Sequence, residues 1–163
     1  MAVAPHEVGN VVVESGVAGE ERGPRGATAL PVRVDAWRLP LLRISYIGDY
    51  SDDELTAYLA TLDRIIARPR PKVVLFDLLH ATVSPAIQRK RQAEWISANE
   101  SVLRRDFAAG AIVLDNALMR GAVTAIFWLC PLPLPTEITS TVEGALAWLH
   151  PFLNDVYAGA AMR

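Results

Sequence analysis

Residues 73–91 read VVLFDLLHATVSPAIQRKR: an apolar run, a short polar loop, and then a segment with helical spacing. The apolar part, VVLFDLL at 73–79, has the continuous hydrophobic character of a β-strand that is covered on both faces. Ser84 followed by Pro85 is typical of a helix start, with serine as the N-cap and proline at the first helical position. The stretch therefore predicts a buried strand that leads through a short loop into a helix.

Downstream of this stretch the same alternation continues. The predicted helix runs to about residue 105, and its buried side is marked by Ile87, Trp95, Ile96, Val102 and Leu103. AAGAIVLD at 108–115 predicts a second buried strand, and ALMRGAVTAIFWLC at 117–130 predicts an apolar helix that ends at PLPLP. At this length the apolar helix is too short to span a bilayer, so we expect it in the core or at an interface.

The end of the chain predicts one more strand and one more helix. TEIT at 136–139 has strand character, and Ser140 with Glu143 has the spacing of a capping box. The helix that follows carries Leu146, Trp148 and Leu149, with Pro151 near its middle or end.

Upstream, two β-rich runs precede the first helix. VRVDAWRL at 32–39 and LLRISYIG at 41–48 are separated by Pro40 and predict an antiparallel pair. Ser51 and Glu54 then form a capping box, in which each side chain bonds to an amide that the helix start leaves free. The stripe Leu55, Leu59, Leu62, Ile66 predicts a helix from this box to about residue 68.

Strands that alternate with helices indicate an α/β fold, because each crossover helix returns the chain to make a parallel neighbour. We expect a mixed sheet with an antiparallel N-terminal strand pair and parallel strands joined by crossover helices. Residues 31–157 are predicted to form a single domain. Glycine-rich residues 1–30 are expected to be a flexible N-terminal segment, and residues 158–163 a C-terminal tail.

Composition excludes several classes of protein. The 163 residues are 52% hydrophobic and 21% charged with a net charge of −2, which favours one compact domain and neither nucleic acid nor anionic membrane as a partner. The single cysteine, Cys130, allows no internal disulfide, and the three histidines show no ligand spacing, so we expect no metal site and no cofactor. The start of the chain does not resemble a signal peptide, which makes the cytoplasm the expected location.

Taken together, the strand pair ending at Gly48, the capped helix from Ser51, VVLFDLL, AAGAIVLD and VEGALAWL at 142–149 resemble the SpoIIAA-like branch of the bacterial STAS superfamily. The resemblance covers roughly residues 31–153. It implies a mixed sheet flanked by helices and a non-catalytic regulatory or protein-interaction module. In anti-sigma antagonists of this superfamily, a serine at the start of the helix after the central strand is phosphorylated.

The phosphorylated position is altered in this chain. The usual Asp-Ser-Ser is absent, and residues 81–85 read ATVSP, so the resemblance leaves Ser84 and Thr82 as candidate phosphosites. Arg89, Lys90 and Arg91 lie one to two helical turns further on and would attract a phosphate or another anionic partner.

The carboxyl ends of parallel strands are also the usual place for a ligand in such folds. We expect this rim to gather Asp49, His80, Thr82, Ser84, Asp115, Asn116 and Arg120. A hydrolase built on Ser84, His80 and Asp115 is conceivable, but no Gly-x-Ser-x-Gly elbow surrounds Ser84.

Two functional classes therefore stay open. One is a protein-interaction module that binds a partner protein or a second copy of itself through an apolar surface between Ala125 and Leu132. The other is a module that binds a small anionic or lipid-like ligand at the rim. A deep apolar pocket next to His80 and Arg120 would favour the ligand, and an exposed apolar patch near Phe127 would favour the protein partner.

Overall fold

A computed structural model describes residues 7–8, 11–12, 31–36 and 38–161 of the chain. Its strands are β1 (Glu7–Val8), β2 (Val11–Val12), β3 (Val32–Asp35), β4 (Leu41–Gly48), β5 (Lys72–Ala81), β6 (Phe107–Val113) and β7 (Thr136–Thr139). Its helices are α1 (Asp52–Ile66), α2 (Ala86–Ala98), α3 (Glu100–Asp106), α4 (Ala117–Leu129) and α5 (Val142–Ala161). Apart from β1 and β2, the predicted flexible segment 1–30 lies outside the described residues.

The main sheet has the spatial order β3-β4-β5-β6-β7. β3 pairs with β4 in antiparallel fashion, whereas β4, β5, β6 and β7 are parallel to one another. The predicted mixed sheet, with its antiparallel first pair and parallel remainder, is therefore confirmed. β1 and β2 form a separate antiparallel pair.

Helices cover the two faces of the main sheet unequally. On one face, alternate residues such as Leu42, Ile44 and Ile112 face core clusters that include side chains of α1, α3 and α4. On the other face, residues such as Val73 and Ala111 pack against α5. Among the described helices, α5 alone contributes to this second cluster.

The capping box at the start of α1 is present as predicted. The hydroxyl of Ser51 accepts a bond from the amide of Glu54, whose carboxylate accepts a bond from the amide of Ser51 (3.2 and 2.7 Å). Gly48 lies just before this start and has a φ of 66°, a left-handed conformation that favours glycine. This turn directs the chain from the end of β4 into α1.

Three local predictions differ from the structure. The helix predicted from residue 85 to 105 is two helices, separated at Asn99, where the backbone leaves the helical conformation (φ −109°, ψ 11°) and the side-chain amide donates to the carbonyl of Trp95 (2.9 Å). Ile87 is 58% exposed, because its turn of α2 buries Gln88 instead. The residue that caps α5 is Thr141 and not Ser140, since the Thr141 hydroxyl accepts from the amide of Gly144 (3.0 Å).

The last helix extends past Pro151, as expected. It continues through Ala161 and therefore includes residues 158–161 of the predicted C-terminal tail. The division of the chain at residues 30 and 157 stays a prediction. Within the described part of the chain, no helix has the length and apolar character needed to cross a membrane.

Candidate functional site

Two hydroxyl contacts join the loop after β5 to the end of β4. The hydroxyl of Thr82 donates a hydrogen bond to the carboxylate of Asp49. The hydroxyl of Ser84 lies 2.6 Å from the phenol oxygen of Tyr50. Because Asp49 and Tyr50 directly follow β4, these contacts hold the carboxyl ends of two neighbouring parallel strands together. The structure thus brings together three of the predicted rim residues: Asp49, Thr82 and Ser84.

Ser84 does not cap the helix that follows it, so this part of the prediction was wrong. α2 begins at Ala86, Pro85 occupies the N-cap position, and no side chain makes a capping bond there. Ser84 is therefore one residue too early to reach the free amides of the first turn. Its hydroxyl bonds to Tyr50 instead.

The basic run at 89–91 does not form one surface. Arg89 turns back to the loop, where its guanidinium donates a hydrogen bond to the backbone carbonyl of Ser84. Arg91 points to α1 and lies 2.7 Å from the hydroxyl of Thr56. Lys90 projects outward, and its ammonium lies 3.8 Å from Glu94. Successive residues of a helix point about 100° apart, so the three cations diverge.

The remaining predicted rim residues lie outside this loop. His80 is exposed at the end of β5, and Asp115 and Arg120 are exposed around the start of α4. Asn116 accepts a hydrogen bond from an amide in the first turn of α4 (2.8 Å), which identifies it as a helix cap. Across the ranges that the structure describes, no group of three His, Cys, Asp or Glu side chains could hold a metal ion.

Two neighbouring cavities lie between the sheet and its helices, behind the Ser84 loop. The outer cavity, of about 130 Å³, is enclosed by the ends of β4 and β5, by α2 and by α4. The inner cavity, of about 100 Å³, lies between the sheet, α1 and α2. They share the side chains of Tyr46, Phe76, Gln92, Ile96 and Leu132.

The location of these cavities differs from the predicted pocket. Neither His80 nor Arg120 lines either of them. The polar side chains that line the outer cavity are instead Tyr46, Tyr50, Thr82, Ser84, Arg89 and Gln92. An apolar space is thus present near the carboxyl ends of the strands, but it opens beside the loop after β5 and not next to His80 and Arg120.

A network of phenol groups forms part of the wall of the cavities: Tyr46 lines both, Tyr50 lines the outer one and Tyr58, on α1, lines the inner one. Tyr46 donates a hydrogen bond to the phenol oxygen of Tyr58 (2.7 Å), and both rings are buried. Burial raises the pKa of Tyr46 and of Tyr58 well above the ordinary value for a phenol, so both are neutral at physiological pH. Gln92 donates to the phenol oxygen of Tyr50 (2.6 Å). The wall therefore offers neutral hydrogen-bonding groups and no charged nucleophile.

The bond between Ser84 and Tyr50 can be tested by a double-mutant cycle. Ser84→Ala and Tyr50→Phe each remove one partner, and we expect each to lower the free energy of unfolding by about 1 kcal/mol. In urea titrations, the loss of stability in the double variant should be about 1 kcal/mol smaller than the sum of the losses in the two single variants. Additive effects would show that the 2.6 Å contact contributes no coupling free energy.

The outer side of α4 carries exposed apolar side chains. Leu118 is 73% exposed and Trp128 is 85% exposed. Phe127 lies on the other side of the helix and packs against the core cluster of Ile112 and Val123. Of the surface predicted between Ala125 and Leu132, Trp128 is therefore the exposed large hydrophobic residue among those whose side chains the structure describes. The side chains of residues 125, 126 and 129 lie outside what the structure describes.

Comparison with known proteins is informative for the fold. No protein-family model matches this chain, and no curated protein matches it. Its structure is similar to that of an uncharacterized DUF3478-family protein with a SpoIIAA-like fold from Shewanella loihica PV-4, with a TM-score of 0.56 and 15% sequence identity over 72% of this chain and 91% of that one. The predicted SpoIIAA-like fold is therefore confirmed.

A second solved structure matches more weakly. It is a chain in the crystal structure of the diguanylate cyclase SiaD in complex with its activator SiaC from Pseudomonas aeruginosa. The TM-score is 0.49 and the identity 12%, over 66% of this chain and 92% of that one.

Sequence reasoning missed the two residues that connect the Ser84 loop to the cavities. The rim expected from the sequence includes neither Tyr50 nor Gln92. A usable signal was the spacing of Gln88 and Gln92, which lie four residues apart and therefore on one side of α2. Both donate to Tyr50: Gln88 to its backbone carbonyl (3.0 Å) and Gln92 to its phenol oxygen.

Proposed function

We propose that this chain is a non-catalytic interaction module of SpoIIAA-like type, which acts in the cytoplasm and binds protein through the outer side of α4. The observation that carries the proposal is the exposure of Trp128 and Leu118 on one helix. A large exposed tryptophan is unusual on a free surface and frequent at the centre of protein interfaces.

The composition of α4 supports the same conclusion. Arg120 is the single charged residue among the 13 residues of this helix. A helix with one face on a sheet and one in water normally carries a polar outer face. α4 instead has apolar residues on both sides, as expected of a helix that a partner covers.

A second copy of this chain is the partner that the pattern of α4 fits best. Leu118 and Trp128 lie at equal distances along the helix from residue 123. If two α4 helices pack antiparallel, with a two-fold axis that passes beside residue 123, Leu118 of each copy meets Trp128 of the other. Gly121 lies near the axis, and the space beside it is open, which allows the two helices to approach closely.

Several features support a binding role over a catalytic one. A hydrolase built on Ser84, His80 and Asp115 would need the hydroxyl of Ser84 to bond to the imidazole of His80. That hydroxyl bonds to Tyr50 instead, which does not support a hydrolase. The net charge of −2 gives no basis for binding nucleic acid.

Phosphorylation of Ser84 or Thr82 stays a prediction. For Ser84 the nearby Arg89 supports it, whereas at Thr82 the carboxylate of Asp49 would repel a phosphate.

The proposed self-association can be measured by sedimentation velocity over a wide range of protein concentration. We expect the wild-type chain to form a dimer and Trp128→Asp to weaken it by about 2 kcal/mol or more, because a buried interface would then hold an unpaired charge. Gly121→Gln should also weaken it, since its side chain has room in the monomer but blocks close approach of the helices.

The matched control is Tyr157→Asp on α5, because Tyr157 is also an exposed aromatic residue, at 55%. It should leave the dimer unchanged. A wild-type chain that stays monomeric at the highest concentration would contradict self-association through α4. Equal weakening by Tyr157→Asp would show that the α4 residues are not specific for the interface.

A further inference from the structure

The outer cavity has an apolar interior. Phe76 and Ile112 contribute its sheet side, and Met119, Val123 and Phe127 contribute its α4 side. Water in such a lining finds few hydrogen-bond partners, whereas a hydrocarbon group gains contacts without losing any. The interior therefore selects for an apolar group of small cross-section.

The opening of the cavity is polar. Thr82 and Val83 are the exposed members of its lining, so the cavity reaches solvent beside the loop after β5. Ser84 and Gln92, also in the lining, are both bonded to the phenol oxygen of Tyr50 (2.6 Å each). Tyr50 thus connects these neutral groups, and their hydroxyl and amide groups lie beside the cavity, where they can contact a polar group of a ligand.

Arg89 is the charged residue of this lining. Its guanidinium is partly buried and donates one hydrogen bond to the backbone carbonyl of Ser84. No carboxylate of the described residues forms an ion pair with it, whereas Arg43 pairs with Asp77 at 2.7 Å. A guanidinium has five donors in a fork that matches a carboxylate, so Arg89 keeps donors for an anion from outside the chain.

We propose that the outer cavity binds a small amphipathic carboxylate, with its hydrocarbon chain between the sheet and α4 and its carboxylate on Arg89. The inner cavity shares Phe76 and Ile96 with the outer one, so it lies where a longer chain would extend. This site is separate from the outer side of α4 that carries the proposed protein contact. Its ligand would lie against the opposite side of that helix.

The test uses the full chain with octanoate and octanol as probes in titration calorimetry. These compounds have equal chain lengths and differ in charge, so octanol measures the cavity alone. We expect the wild-type chain to bind octanoate the more tightly of the two. Arg89→Met should lower the affinity for octanoate at least tenfold, because charge-assisted hydrogen bonds to the carboxylate are lost. It should change the affinity for octanol by less than about twofold, because the cavity stays.

Two further variants separate the contributions of charge and cavity. Arg91→Met removes a cation from the same helix that points to Thr56, and it should leave both affinities unchanged. Ala122→Leu fills part of the outer cavity from α4. It should lower the affinity for both octanoate and octanol, while a thermal melt shows that the chain is still folded.

Three results would overturn the proposal. The first is absence of saturable octanoate binding to the wild-type chain. The second is an equal loss of octanoate and octanol in Arg89→Met, which would separate Arg89 from the carboxylate. The third is an Arg91→Met effect as large as that of Arg89→Met, which would indicate attraction by overall charge.

Discussion

Replacing Lys72 with alanine should lower the free energy of unfolding by about 3 kcal/mol, through lost packing and lost hydrogen bonds. Lys72 begins β5 and is only 1% exposed. Its ammonium donates to the backbone carbonyls of Arg68 and Arg70 (3.0 and 2.7 Å), and it lies 5.4 Å from the centre of the Phe107 ring. The residue thus holds the chain that leaves α1 against the first residue of β6.

Urea titration of three variants would separate the contributions. Lys72→Met retains most of the side-chain volume and should recover roughly half of the loss, leaving the part due to hydrogen bonds. Lys90→Ala is the matched control, because Lys90 is exposed and its pair with Glu94 at 3.8 Å should contribute less than about 0.5 kcal/mol. Equal effects of Lys72→Ala and Lys90→Ala would contradict the structural role of Lys72.

Leu149→Ala should be similarly destabilising, by about 3 kcal/mol, because it opens a cavity under α5. Leu149 is fully buried and packs with Ala145 against strands β5 and β6. Among the described helices, α5 alone packs on this face of the sheet, so no other helix is placed to move in and fill the space.

The same helix supplies the control for this prediction. Leu146 lies three residues earlier and is 38% exposed, so Leu146→Ala removes the same atoms from a position that faces partly into water. Its effect should stay below about 1 kcal/mol in the same urea titration. A Leu149→Ala variant as stable as Leu146→Ala would mean that α5 does not hold this face of the sheet.

Hydrophobic spacing predicted most of the elements because it is a local property of the chain. The stripe from Leu55 to Ile66 needs only helical period, and VVLFDLL needs only a run of apolar residues, so both were identified without their partners. The parallel arrangement followed from the crossover helices. Helix ends were less accurate: Ser84 and Ser140 each lie one residue before the position that caps the helix.

The candidate site was predicted only in part. Asp49, Thr82 and Ser84 were expected together because they follow neighbouring strands, and the structure places them in one loop region. The involvement of Tyr50 depends on a contact between residues 34 positions apart, and that of Gln92 on one between residues 42 apart. No local pattern contains such a distance, so the cavity could not be assigned to these residues beforehand.

The sequence by itself determined the order of strands and helices and the mixed sheet, because these depend on the period and length of apolar segments. The SpoIIAA-like fold was implied by the resemblance of these segments to that branch of the STAS superfamily. Only the tertiary structure decided that Arg89 turns to the Ser84 loop while Arg91 turns to α1, and that Trp128 faces outward while Phe127 faces the core. Nearby residues of similar type have different surroundings because, once a helix is packed on the sheet, each of its positions points in a different direction.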